Sequence, residues 1–151
     1  MVIVGIDPGK KGGIAWYYDH VKSFGHGGMA MPPTPRQIFL ALQVFKSYGD
    51  MRVFIEKCHS MPKQGVASTF AFGKGIGILM GILTALEAEI NEIPPQAWKK
   101  IVLAGTDKSK DAAILFVENH YPAIDLFPGK CRKAQDGIAD AACLMHYGLN
   151  Q

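Results

Sequence analysis

Val2-Ile3-Val4-Gly5-Ile6-Asp7-Pro8-Gly9 opens the chain with an apolar run that stops at an acid and a turn. Residues 2–6 alternate little and are closed by Pro8-Gly9, which reads as a buried strand delivering Asp7 at its end. Gly12-Gly13 then leads into Ile14-Ala15-Trp16-Tyr17-Tyr18, an aromatic-rich second strand. A third is expected through residues 21–30, loosened by Gly25, Gly27 and Gly28. Tight connections between consecutive strands suggest an antiparallel meander of three.

Beyond the meander the period changes. Met31-Pro32-Pro33 breaks the pattern, and Thr34-Pro35 supplies an N-cap with proline in the first turn. Ile38, Leu42 and Phe45 follow at helical spacing, predicting a helix to about residue 47. Met51 to Glu56 reads as a buried strand after that helix, and a strand reached by a helical crossover runs parallel to its neighbour. A polar loop from His59 to Gly65 precedes a long helix to about residue 88. Its Gly73, Gly75, Gly77 and Gly81 are poor helix formers, read as close backbone packing or a kink. Ala88 to Ile93 is a fifth strand, stopped by Pro94-Pro95. A short helix over about 96–102 and helices over about 109–120 and 136–147 complete the chain. No repeat, low-complexity tract or linker interrupts it, so residues 1–151 are expected to form a single α/β domain.

Composition narrows the function classes. The 151 residues are 48% hydrophobic and 19% charged, which excludes a disordered chain. A formal net charge of +3 is compatible with a polyanionic partner. Cys58, Cys131 and Cys143 show neither paired nor metal-ligand spacing, as expected for a reducing compartment. Asp7 arrives too early for a signal peptide, and no uncharged apolar stretch reaches about 18 residues. A cytoplasmic protein without a membrane span is the expectation.

Four acids carry the chemistry. Asp7 and Glu56 each end an apolar strand, and Asp136 and Asp140 stand four apart at the head of the last helix. If the first and fourth strands are parallel neighbours, Asp7 and Glu56 share their carboxyl edge, where ligands of open α/β sheets bind. Residues at i and i+4 share a helix face, and two acids there repel by about 0.2–0.5 kcal/mol. A bound divalent cation offsets that repulsion. Mg²⁺ takes oxygen ligands and is held by one or two carboxylates plus substrate phosphates. The set therefore points to metal-dependent cutting of nucleic-acid phosphodiesters. Simpler roles exist for single members. Asp7 before Pro-Gly suits a turn, Asp136 suits an N-cap, and Glu56 could pair with Lys57 or Lys10. Asp140, inside an apolar stripe, needs a partner.

Taken in order, Gly5-Ile6-Asp7-Pro8-Gly9, Phe54-Ile55-Glu56-Lys57, Pro94-Pro95-Gln96-Ala97-Trp98-Lys99-Lys100, Lys108-Ser109-Lys110-Asp111-Ala112-Ala113 and Asp136-Gly137-Ile138-Ala139-Asp140-Ala141 resemble the RuvC family of Holliday-junction resolvases. The likeness spans nearly the whole chain and is greatest to the short bacteriophage members. It implies a ribonuclease H-like fold, with three antiparallel and two parallel strands flanked by helices. It also implies a homodimer whose two active sites nick opposed strands of a four-way DNA junction, leaving 5′-phosphate and 3′-hydroxyl ends. The setting would be a bacterial or phage-infected cytoplasm. Two departures stand out. Some members space the final acids three apart rather than four, and some cellular members carry a base-stacking aromatic where His59 stands here. Phe70 and Phe72 could substitute, although core packing is the expected role of both.

On this reading Asp7, Glu56, Asp136 and Asp140 are both catalytic residues and ligands of two Mg²⁺ ions, with Mn²⁺ able to substitute. Phosphate contacts are expected from Lys10, Lys11, Lys57, His59, Lys63, Lys74, Lys99, Lys100, Lys110, Lys130, Arg132 and Lys133. Lys130-Cys131-Arg132-Lys133 is the densest group, and a solvated loop is its plain alternative. Trp98 is expected to pack against the sheet. The long helix, with Phe70, Phe72, Ile76, Leu79 and Leu83 on changing faces, could supply the dimer interface. The alternatives are a less selective nuclease of forks and flaps, a binder that holds junctions without cutting, or an actin-like phosphotransferase. The last also begins with a strand, an Asp and a glycine-rich turn, but needs two lobes and a longer chain.

Overall fold

Period-two alternation along the first strand, β1 (Val2–Asp7), sends its side chains to two faces, and the molecule is organised around that division. The computed structural model describes residues 1–19, 25–58 and 65–151. Val2, Val4 and Ile6 enter one hydrophobic cluster and Ile3 the other. β2 (Gly13–Tyr18) pairs antiparallel with β1, and β3 (His26–Ala30) antiparallel with β2. On the other side of β1 lie β4 (Met51–Glu56) and then β5 (Glu89–Ile93), both parallel to it, giving the order β3-β2-β1-β4-β5.

Helices cover both faces. Two of them, α1 (Pro35–Lys46) and α2 (Val66–Ala85), bury Leu42, Phe45, Leu79 and Leu83 against Val4, Ile6, Val53 and Ile55. Thr34 caps α1 by accepting from the Gln37 amide at 3.3 Å. On the opposite face lie α3 (Pro95–Val102), α4 (Lys110–His120) and α5 (Asp136–Leu149), packed on Ile3, Ala15 and Phe54. Central among them is α5, whose residues 137–139 and 141–145 are all buried. Three antiparallel and two parallel strands between helical layers make this the expected ribonuclease H-like fold.

Three details differ from expectation. The strand placed over 21–30 is observed as His26–Ala30, while residues 20–24 lie outside the described residues. The long helix ends at Ala85 rather than near 88, because Glu87 turns left-handed at φ +53°. Within the chain its glycines meet no close neighbour. A Cβ added at Gly73, Gly75, Gly77 or Gly81 would meet nothing within 4 Å.

The exposed stretch of α2 also overturns the core role expected for Phe70, which is 72% exposed; Phe72 is half-buried. By length and composition α2 is apolar enough to cross a membrane, although Lys74 interrupts the run. Its C-terminal half is already committed, because Leu79 and Leu83 complete the cluster beneath β1 and β4.

Candidate active site

The alternation that points Ile3 at the α5 side continues through Gly5 to Asp7, and that of β4 runs from Phe54 to Glu56. Ile6 pairs with Ile55, so both acids end neighbouring parallel strands at the same edge. Ligands of open α/β sheets bind there.

Glycine lets α5 reach that edge. A Cβ on Gly5 would collide with the Ala141 carbonyl oxygen and the Met145 amide nitrogen. One on Gly137 would collide with the backbone of Lys11 and Gly12, and Gly12 and Gly137 form an isolated β-bridge. Helix and strand therefore touch backbone to backbone, which is the usual meaning of glycine inside a strand. Asp136 and Asp140, one turn apart, are set down beside Asp7.

The four acids occupy different environments. Asp7 Oδ1 accepts from the Gly9 amide at 3.1 Å, so it does build the turn its Pro-Gly neighbours suggested. Burial pushes its pKa up, the Gly9 bond pulls it down, and Asp136 pushes it up again. Glu56 is raised by burial, lowered by a hydrogen bond from Trp98 and raised by Asp7. Its partner is thus neither Lys57 nor Lys10. Asp140 is pushed up to about 7, chiefly by burial, with Lys99 opposing and Asp7, Glu56 and Asp136 adding to the rise. Its Oδ1 is buried without a hydrogen-bond partner. Asp136 is the first residue of α5, not its cap, which is Gln135. An ion pair with Lys110 holds its carboxyl below the usual range.

These carboxylates sense one another without converging. Among the described residues no three His, Cys, Asp or Glu side chains are gathered closely enough to hold an ion as they stand. Lys110 draws Asp136 aside and Trp98 holds Glu56. A hard cation does not demand a preassembled cage, because Mg²⁺ keeps several waters and binds through one or two carboxylates and substrate phosphate. An all-oxygen donor set with one buried, unpartnered oxygen fits such an ion chemically.

The basic residues divide into two groups. Lys99 and Lys110 act electrostatically on the acids: both on Asp7, and Lys99 also on Glu56. Lys10, Lys11, Lys57, Lys74, Lys100, Lys130, Arg132 and Lys133 are exposed, and of these Lys10, Lys11 and Lys57 follow closely on the strand ends that carry Asp7 and Glu56. Lys10 and Phe72 line a cavity of about 490 Å³ between the Asp7 turn and α2. His59 and Lys63 lie outside the described residues.

Trp98 exceeds its expected packing role. It is fully buried, and its Nε1 donates to Glu56 Oε2 at 2.9 Å. The available signal was chemical, since a buried indole N–H needs an acceptor and the acid ending β4 lay nearby. Cys58 sits at the same edge, and burial with Glu56, Asp7 and Glu92 pushes its thiol to about 11. In the metal-free protein the thiol is therefore protonated at neutral pH.

No protein-family model and no curated protein matches this sequence. Among solved structures the chain is similar to Thermus thermophilus RuvC, with a TM-score of 0.61 at 14% identity over 99% of this chain and 97% of that one. It is also similar to T. thermophilus RuvC in complex with a Holliday junction substrate, with a TM-score of 0.60 at 16% identity over 97% and 92% of the two chains. At these identities the likeness is one of fold.

Proposed function

We propose that this chain is a metal-dependent endonuclease that resolves four-way DNA junctions by paired nicks. The reading is supported by Asp7 and Glu56 ending neighbouring parallel strands at one sheet edge, by the electrostatic influence of Asp7, Glu56 and Asp136 on Asp140, and by a buried Asp140 oxygen left unpaired. Gathering acids where a polyanion must approach costs free energy, so a protein that merely bound DNA would gain nothing from it. Two solved structures of the same fold are RuvC proteins, one of them in complex with a Holliday junction substrate.

Asp7, Glu56, Asp136 and Asp140 would hold the cation, Mg²⁺ or Mn²⁺, in up to two positions. When bound, paired ions supply an activated water and neutralise charge on the phosphate during in-line displacement. Asp7, tied to its turn through Gly9, would be one of the acids that hold the cation. Glu56 orients the attacking water. Asp136, paired with Lys110 in the metal-free protein, would be one of the acids holding the cation, and Lys110 beside it would be available to phosphate. Water would add to phosphorus and give up a proton, the bond from phosphorus to the 3′ oxygen would break, and that oxygen would take up a proton from solvent, leaving 5′-phosphate and 3′-hydroxyl ends. Lys10 and Lys11 on the Asp7 turn, with Lys130, Arg132 and Lys133 before α5, would carry the flanking backbone.

Paired nicking needs two sites, and we assign the second to another copy of the chain. In this assignment the exposed stretch of α2, with Val66 at 87% and Phe70 at 72% exposure, is the contact face.

The substrate reading is tested by incubating the protein with labelled four-way junction, Y-fork and linear duplex in Mg²⁺. Paired nicks in the junction, with duplex spared, are expected. Equal cutting of fork and junction would replace resolution by general branched-DNA cleavage. Metal-independent junction binding without cutting would replace catalysis by binding.

A further inference from the structure

Resting on the metal-site reading above, we infer that Trp98 is a positioning residue for Glu56, fixing that carboxylate before any cation or DNA arrives. Trp98 lies in the middle of α3, which starts directly after β5 and so begins at the same sheet edge as Glu56. Its ring is fully buried among the residues packed between α3, α5 and the sheet. The indole N–H is its one polar group, and burial obliges it to find an acceptor. It takes Glu56 Oε2 at 2.9 Å, across 42 residues of chain.

Both ends of that bond are anchored, the indole by the core and Glu56 by the last ladder position of β4. A free glutamate has three side-chain torsions to order when it takes up a ligand, and that ordering costs conformational entropy. The bond restricts that freedom in advance and commits Oε2. It also favours the ionised carboxylate against burial and the neighbouring Asp7. The same ring carries a second duty on its face. Lys99 Nζ stands 5.1 Å from the ring centroid, and Lys99 is the cation that opposes the rise of Asp7, Glu56 and Asp140. One buried indole thereby orients an acid through its edge and a counter-charge through its face. Outer hydrogen-bond partners of this kind typically govern ligand affinity by about tenfold to a hundredfold.

The test is a double-mutant cycle on Mn²⁺ binding, measured by titration calorimetry without DNA on the parent, Trp98→Phe, Glu56→Ala and the double variant. Trp98→Phe is expected to weaken Mn²⁺ binding about tenfold or more, while adding it to Glu56→Ala, which has no acceptor for the indole, changes nothing further. Additive losses would overturn the inference, because a purely structural role acts whether or not Glu56 is present. Unchanged Mn²⁺ affinity in Trp98→Phe would overturn it as well. Absence of Mn²⁺ binding in the parent would instead remove the metal-site reading, and the inference with it. If the lost volume unfolds Trp98→Phe, replacing Trp98 with 3-benzothienylalanine removes the N–H, keeps the shape and reads the same cycle.

Discussion

Asp140 shows how burial acts on the ionisation of one side chain. In an unfolded chain an aspartate titrates near 3.9, whereas in the fold Asp140 is raised to about 7. Between those two values the folded state binds the extra proton, so stability falls as pH rises through the window. Below the unfolded value Asp140 is neutral in both states and its contribution is fully present. Above about 7 it is lost, to an extent on the order of a few kcal/mol. Asp140→Asn removes the charge, so in metal-free protein it should melt close to the parent near about pH 4 and higher than the parent above about pH 8. Thermal unfolding across pH reads this directly. A constant difference between the two proteins at every pH would contradict it. Saturating Mg²⁺ should narrow the gap at high pH by stabilising the parent, since a ligand that binds only the folded state raises its apparent stability. Lys110 offers the contrast. Its ion pair with Asp136 is exposed, so Lys110→Met should change unfolding free energy by less than about 1 kcal/mol in a urea titration.

At the scale of elements, the site depends on how closely α5 lies on β1. Gly5→Ala places a methyl group onto the backbone of Ala141 and Met145, neither of which can yield as a side chain could. We expect a loss of roughly 3 kcal/mol or more in denaturant unfolding, with Asp136 and Asp140 displaced. Gly75→Ala in α2 meets open space and should gain up to about 1 kcal/mol from helix propensity. Both substitutions are glycine to alanine inside a regular element, so opposite signs isolate close approach from propensity. The pair also marks what could be read from the chain. Strand and helix order was legible because alternation in Val2–Asp7 and Met51–Glu56 and the spacing of Ile38, Leu42 and Phe45 are local. The meaning of a glycine was not, because it depends on what lies opposite. The glycines of α2 suggested close packing and have none within the chain, while Gly5 has it. Phe70 misled similarly, since an apolar residue on a helix says nothing about which side another element covers.

For the molecule as a whole, the sheet edge organises charge of both signs. The acids lie inside it, and Lys10, Lys11, Lys57, Lys130, Arg132 and Lys133 are exposed. Replacing Lys130, Arg132 and Lys133 together by Ala should weaken junction binding. The slope of log affinity against log salt should flatten by about 0.9 for each phosphate that is no longer neutralised. A fluorescence-anisotropy salt series measures this, and an unchanged slope would make that loop an ordinary solvated one. That Asp7 and Glu56 share an edge was legible in the sequence because each ends an apolar strand, and topology alone brings strand ends together. The bonds to the acids were not. Trp98 on Glu56 and Lys110 on Asp136 join segments far apart in the chain, and no periodicity encodes such pairs.

The most direct test of the central claim is Asp7→Asn, followed on one labelled four-way junction by both binding and cleavage in Mg²⁺. The substitution keeps shape and an acceptor for the Gly9 amide while removing one negative charge from the sheet edge. The account predicts that nicking falls by at least about a thousandfold, roughly 4 kcal/mol in barrier, while junction affinity holds or rises. Cleavage at the parent rate would contradict it.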